Sequence, residues 1–203
     1  MKRLARLTGA VALMAATAVA VPQSLSAQGK KLEISGFAGW YLPTNKDAMQ
    51  LAPSSQDAAR RGSLAWGGRL TVWTASRLGF EFTGGFSPAR VRVGSTIGIF
   101  PHSTKLTFGS AKLALKLTSG DPTLGVTISG GLAGLHYGKT VADPAKSETK
   151  FGGVGGLGLR LRLADALHLR GDIEDYFYSG QFGNASSKLV GDLMLTGGVS
   201  IGF

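Results

Sequence analysis

From Leu32 onward the chain repeats one pattern: stretches of about ten residues in which apolar side chains fall at every second position. These stretches are 32–42, 64–73, 78–86, 106–117, 124–135, 153–163, 167–178 and a last one that begins near Leu189 and ends on Phe203. A period of two means strands with one apolar and one polar face. After the N-terminal segment no apolar run approaches the roughly 20 residues of a spanning helix, so any membrane span must be made of strands. Eight such strands suffice for a small transmembrane barrel, and the predicted fold is all-β: an eight-stranded antiparallel up-and-down barrel.

The N-terminus predicts export. Lys2, Arg3 and Arg6 precede an apolar stretch from about Leu7 to Val21, and small residues follow at Ser24, Ser26 and Ala27, the order of a secretory signal peptide. An anchoring helix is the competing reading, but the apolar stretch is short for a span and Pro22 interrupts it. The organisation read from the sequence is a signal peptide over 1–27, cut near Ala27, and a barrel over 28–203. With no cysteine in the chain, no disulfide staples the exported protein. The formal charge of +10 includes three from the signal, leaving 19 Lys and Arg against 12 Asp and Glu. Such a balance suits an anionic membrane surface; nucleic acid is the weaker reading, since no stacking aromatics interleave with the cations.

The connections decide which face meets lipid. Short turns at 74–77, 118–122 and 164–166 alternate with long loops at 43–62, 88–104, 138–150 and 179–188, so one rim is tight and the other elaborate. The segment 90–100, RVRVGSTIGIF, is too short to span twice and is read as loop. The polar face is rich in Gly, Ser and Thr, small enough for a narrow interior, so the apolar face should point outward. Leu106 and Phe108 fall out of phase with the rest of their stretch, which predicts a bulge near Gly109.

Three segments together, LEISGFAGWYLP after the signal, GLGLRLRL leading into LHLRGDIEDYFY, and the aromatic-terminated last strand, make the chain similar to the small outer-membrane barrels typified by OmpA-like and OmpX-like proteins. The resemblance implies an outer-membrane location and, as partners, outer-membrane lipid and lipopolysaccharide, with the assembly machinery and periplasmic chaperones during biogenesis. It also implies that Phe203 is the assembly signal. OmpA itself continues into a peptidoglycan-binding domain; the sequence given stops at Phe203, so that function is not carried over. A closed barrel should pair its last strand with its first.

The polar faces carry charges of both signs: Glu33, Glu81, Asp172, Glu174 and Asp192 against Arg69, Lys112, Lys116, Arg160, Arg162 and Arg170. Isolated charges are costly inside so narrow a barrel, which predicts a lumen network of paired ions. Hairpin register places Arg69 near Glu81, and Arg160 within reach of Arg170 and Asp172. The bland reading of these charges is a salt-bridged plug and the sharper one a gated ion path; the plug is preferred. The acidic DIEDY, 172–176, is read as lumen charge rather than a calcium site.

Other signals are weaker. GVGGLG at 153–158 spells a dinucleotide pattern but runs into LRLRL, with no helix to follow. Asn184-Ala185-Ser186 is a glycosylation sequon by spelling only. His102, Ser103, His136 and Glu148 could be assembled into a site resembling those of lipid A-modifying barrel enzymes, though nothing in their spacing enforces it, and His168 lies at the opposite rim. No cofactor or metal pattern is present. The loops and their edges hold ten cations, among them Lys105 and Lys150, against four carboxylates. The function expected is thus a monomeric, non-enzymatic envelope protein with a plugged lumen and basic loops; an OmpW-like small-solute or apolar-solute channel is the alternative, and an enzyme the third option.

Overall fold

The computed structural model describes residues 32–44, 49–50, 57–74, 76–95, 98–118, 123–138, 147–180 and 188–203. The predicted signal peptide and the sequon at Asn184 lie outside them. Ten strands follow in order: β1 (Leu32–Pro43), β2 (Met49–Gln50), β3 (Asp57–Arg61), β4 (Ser63–Trp73), β5 (Leu78–Ser95), β6 (Gly98–Lys116), β7 (Leu124–Tyr137), β8 (Glu148–Arg162), β9 (Leu167–Gly180) and β10 (Lys188–Gly202). The sheet runs β2-β3-β5-β4-β1-β10-β9-β8-β7-β6, and β5 also pairs with β6. That second pairing closes an antiparallel barrel of eight strands, β1 and β4 to β10, while β2 and β3 extend it beyond the wall.

Closure joins the two ends of the sheet. β1 and β10 pair from Glu33↔Gly202 to Pro43↔Asp192, and the Phe203 amide donates to the Leu32 carbonyl at 2.8 Å. No spanning strand is left with an open edge, as a lipid environment demands. The alternation sorts side chains as the sequence reading expects. Phe80, Phe82, Leu113 and Leu159 face outward and are exposed, while Glu81, Lys112, Arg170 and Asp172 are buried inside.

Two expectations are corrected. There is no bulge near Gly109: register along β5–β6 and β6–β7 is unbroken, and Leu106 and Phe108 simply point inward, both buried. They belong to an apolar interior cluster with Phe37, Tyr41, Leu135 and Met194. The lumen is therefore richer in charge toward the short turns and richer in apolar and aromatic side chains toward the long loops, rather than polar throughout. The second correction is the segment 88–104. β5 and β6 stay paired from Leu78↔Leu115 to Ser95↔Gly98, so most of the predicted loop is a hairpin. Being too short to cross a bilayer does not stop a period-two segment from prolonging strands above it, where backbone pairing still satisfies its polar groups.

The seam between β1 and β10 offers a matched test. A Cβ on inward-facing Gly198 would stand 2.1 Å from the Gly36 carbonyl oxygen and 2.8 Å from the Phe37 Cα; at outward-facing Gly197 nothing lies within 4 Å. Gly198→Ala should therefore push the closing strands apart and cost about 1–3 kcal/mol, while Gly197→Ala should leave the folded fraction unchanged. Heat-modifiable gel mobility of the two variants against urea concentration measures the difference.

Candidate functional site in the barrel lumen

Period-two alternation brings Arg69 on β4, Glu81 on β5 and Lys112 on β6 to neighbouring points of the inner wall: Thr71 and Lys112 are the Cα partners of Glu81, with Arg69 one step along. Arg170, Asp172 and Glu174 project into the same space from β9, which in the strand order is not adjacent to any of those three. Arg69 Nη1 lies 3.0 Å from Asp172 Oδ2, and its Nη2 lies 3.3 Å from Glu174 Oε1. Lys112 Nζ meets Glu81 Oε1 at 2.8 Å and also contacts Glu174. Arg170 bridges Glu81 Oε2 at 2.7 Å and Asp172 Oδ1 at 2.8 Å. Arg69 and Glu81 themselves are 3.9 Å apart, the loosest of these contacts.

The result is three cations against three carboxylates, all buried, each touching at least one opposite charge. Neutral groups take up further lone pairs: Thr71 donates to Glu81 at 3.0 Å, Tyr176 donates to Glu174 at 2.9 Å, and Thr196 accepts from Arg69 at 2.9 Å. The arrangement ties β4, β5 and β6 to β9 across the lumen.

The other sequence-predicted residues lie elsewhere. Arg160 is the Cα partner of Arg170, but its ion pair is with Glu33, at 2.5 Å. Trp73 donates to the same carboxylate at 3.3 Å, and Lys116 stands 4.0 Å from the Trp73 ring centroid, so Lys116 belongs to this second group nearer the short turns. Asp192 sits toward the long loops, where the hydroxyls of Tyr41, Tyr137 and Tyr178 converge on its Oδ2; the Tyr178 bond is 2.8 Å and the Tyr137 bond 3.2 Å. Alternation along a single strand does not mark those tyrosines as partners of a carboxylate. Phe203 lies at the short-turn rim, partly exposed.

Several placements differ from expectation. Lys150 is not a loop cation: it is buried, 5.4 Å from the Tyr178 ring centroid, because the strand begins earlier than its alternation suggested. Asp175, within DIEDY, faces outward and is exposed, since it alternates with Glu174 and Tyr176. His136 also points outward, sharing a 2.8 Å hydrogen bond with Thr149, whereas buried His168 lies near the opposite rim, as its place in the sequence predicts. The side chains of His102, Ser103 and Glu148 lie outside the described residues.

An apolar belt around a charged interior, in a closed eight-stranded antiparallel sheet, is the architecture of the small outer-membrane β-barrels. Solved structures share that fold. The outer-membrane protein OprG of Pseudomonas aeruginosa superposes with a TM-score of 0.64 at 13% identity, over 86% of this chain and 97% of that one. The N-terminal β-barrel domain of OprF, from the same organism, gives 0.55 at 14%, over 86% and 98%. Neisserial surface protein A gives 0.54 at 11%, over 85% and 97%. No protein-family model and no curated protein sequence matches the chain.

Charge parity in the network is testable. Glu81→Gln leaves three cations facing two carboxylates and should cost about 3–5 kcal/mol. Adding Lys112→Met restores parity, and a coupling of about 1–3 kcal/mol should appear as partial recovery in a double-mutant cycle of urea unfolding.

Proposed function

We propose that this chain is a non-enzymatic envelope protein whose barrel is a rigid platform, with its lumen closed by paired charge and its basic long-loop rim held against anionic glycolipid or an external surface. The observation that carries the reading is the network of three cations and three carboxylates linking β4–β6 to β9. Above it lies the buried cluster that includes Phe37, Tyr41, Leu106 and Phe108, and together they favour a plug over a pore. Outer-membrane lipid and lipopolysaccharide are the partners that a basic rim fits best.

A conduit for small or apolar solutes is the second reading. It draws on the buried hydroxyls of Ser35, Thr83 and Ser200, which find no partner among the described residues and so call for water in the lumen. Planar-bilayer recording separates the two. The platform predicts no steady conductance from wild-type protein; steady conductance, with ion selectivity altered by Glu81→Gln, would establish a channel instead.

Assembly supplies a further test. Phe203 ends the strand that closes the barrel, and we assign it as the residue read by the assembly machinery and its chaperones. Phe203→Lys should lower the yield of assembled barrel in cells several-fold. Leu189→Lys, at the opposite end of the same strand, should not; equal losses would show that the terminal aromatic is not read.

A further inference from the structure

On the outer wall, five glycines on successive strands fall in one unbroken register: Gly36 of β1 faces Gly68 of β4, which faces Gly84 of β5, then Gly109 of β6 and Gly134 of β7. Gly36 and Gly84 have nothing within 4 Å of where a Cβ would stand, and Gly68 and Gly109 have only a carbonyl oxygen, at 3.4 and 3.6 Å; at Gly134 the Phe151 ring comes within 3.4 Å, so the open floor runs from Gly36 to Gly109 and the Phe151 ring bounds its upper end. The row is oblique to the barrel axis. Gly134 lies ten residues beyond Leu124 at the short-turn end of its strand, whereas Gly36 lies only four beyond Leu32. It therefore descends from the long-loop side toward the short turns.

Side chains two positions away on each strand raise ridges on both sides. Below run Leu70, Phe82, Ala111 and Leu132; above run Trp66 and Phe86, their rings edge to face at 4.3 Å, followed by Thr107 and His136. The Cα rows of the two ridges are roughly 13 Å apart. The lower end opens into a recess of about 550 Å³ between Ile34, Ala38, Val199 and Ile201, floored by Gly36 and Gly197.

The upper end is polar, although it is on the outer wall. Lys105 is exposed there, its Nζ 5.6 Å from the Phe86 ring centroid, beside exposed Thr107 and His136. Charged side chains on the outside of a barrel are tolerated near the interface and not at the bilayer midplane, which puts this cluster at headgroup depth.

We infer that this groove binds one anionic lipid of the outer leaflet, a phosphorylated glycolipid, with its headgroup at Lys105, Thr107 and His136 and one acyl chain along the glycine floor into the recess. Charge complementarity selects the headgroup. The Thr149 hydrogen bond on Nδ1 fixes the His136 ring, leaving Nε2 for the lipid. Bare backbone lets the chain lie close to the wall, and the apolar ridges restrain it sideways. The inference rests on the outer-membrane reading but not on the closed lumen.

The test titrates the full-length folded barrel, in zwitterionic detergent, with a fluorescent lipid bearing a phosphorylated glucosamine headgroup. Its dephosphorylated counterpart and inorganic phosphate are the comparisons. The phosphorylated lipid should bind more tightly, and Lys105→Gln should weaken it about fivefold. Gly84→Leu, whose Cβ would meet nothing within 4 Å, should weaken both lipids by filling the floor, while Arg77→Gln at the other rim changes nothing. Heat-modifiable mobility identifies folded variants. Either Lys105→Gln or Gly84→Leu binding like wild type overturns the inference, as does full displacement of the lipid by inorganic phosphate. Steady conductance would overturn the closed-lumen reading and leave this one standing; unchanged lipid binding would do the reverse.

Discussion

Backbone hydrogen bonding that must be satisfied without water governs this structure. A strand in lipid cannot leave its N–H and C=O groups open, so the sheet has to return on itself. The pairing of β1 with β10, from Glu33↔Gly202 to Pro43↔Asp192, completes that return. Once the circle is closed with eight strands, its interior is about as wide as the side chains that fill it. Every inward residue then meets others from across the lumen as well as from adjacent strands.

Closure creates the electrostatic problem that the lumen network answers. An isolated ion in so narrow an interior would pay a large desolvation cost, and pairing offsets it only where geometry and remaining lone pairs are both satisfied. Here Arg69 reaches three carboxylates and Arg170 two, and Thr71, Tyr176 and Thr196 supply neutral partners. Replacing the whole network by apolar groups of like volume could be neutral in stability. What ionic pairing adds is selectivity of arrangement: β9 has to present its charges opposite β4 to β6, and a strand slipped by one residue would turn them into lipid.

The same period of two shapes the exterior. Where glycine occupies an outward position with no neighbouring side chain over it the wall is bare backbone, and the four such positions at Gly36, Gly68, Gly84 and Gly109 share a register. Interior and exterior are thereby coupled: the register that aligns Arg69, Glu81 and Lys112 inside also aligns Gly68, Gly84 and Gly109 outside.

Strand periodicity and the inward face of the charges that form the lumen network were legible along the chain, because each depends only on neighbours in sequence; the outward face of Asp175, the burial of Lys150 and the hairpin within 88–104 were not. The proximity of Arg69 to Glu81 was legible too, since one short turn sets that register. The partners of Arg69 on β9, the separation of Lys116 and Asp192 from the main network, and the pairing of Arg160 with Glu33 were not. Those contacts cross the lumen, and only the closed circumference brings such distant strands opposite one another. Leu106 and Phe108 were misread for a related reason: an apolar residue on an inward face looks out of phase until the barrel reveals an apolar interior to receive it. Local alternation thus determined the strands and their faces, while closure and register decided which side chains meet, because contact across a barrel is a property of the circle and not of any one strand.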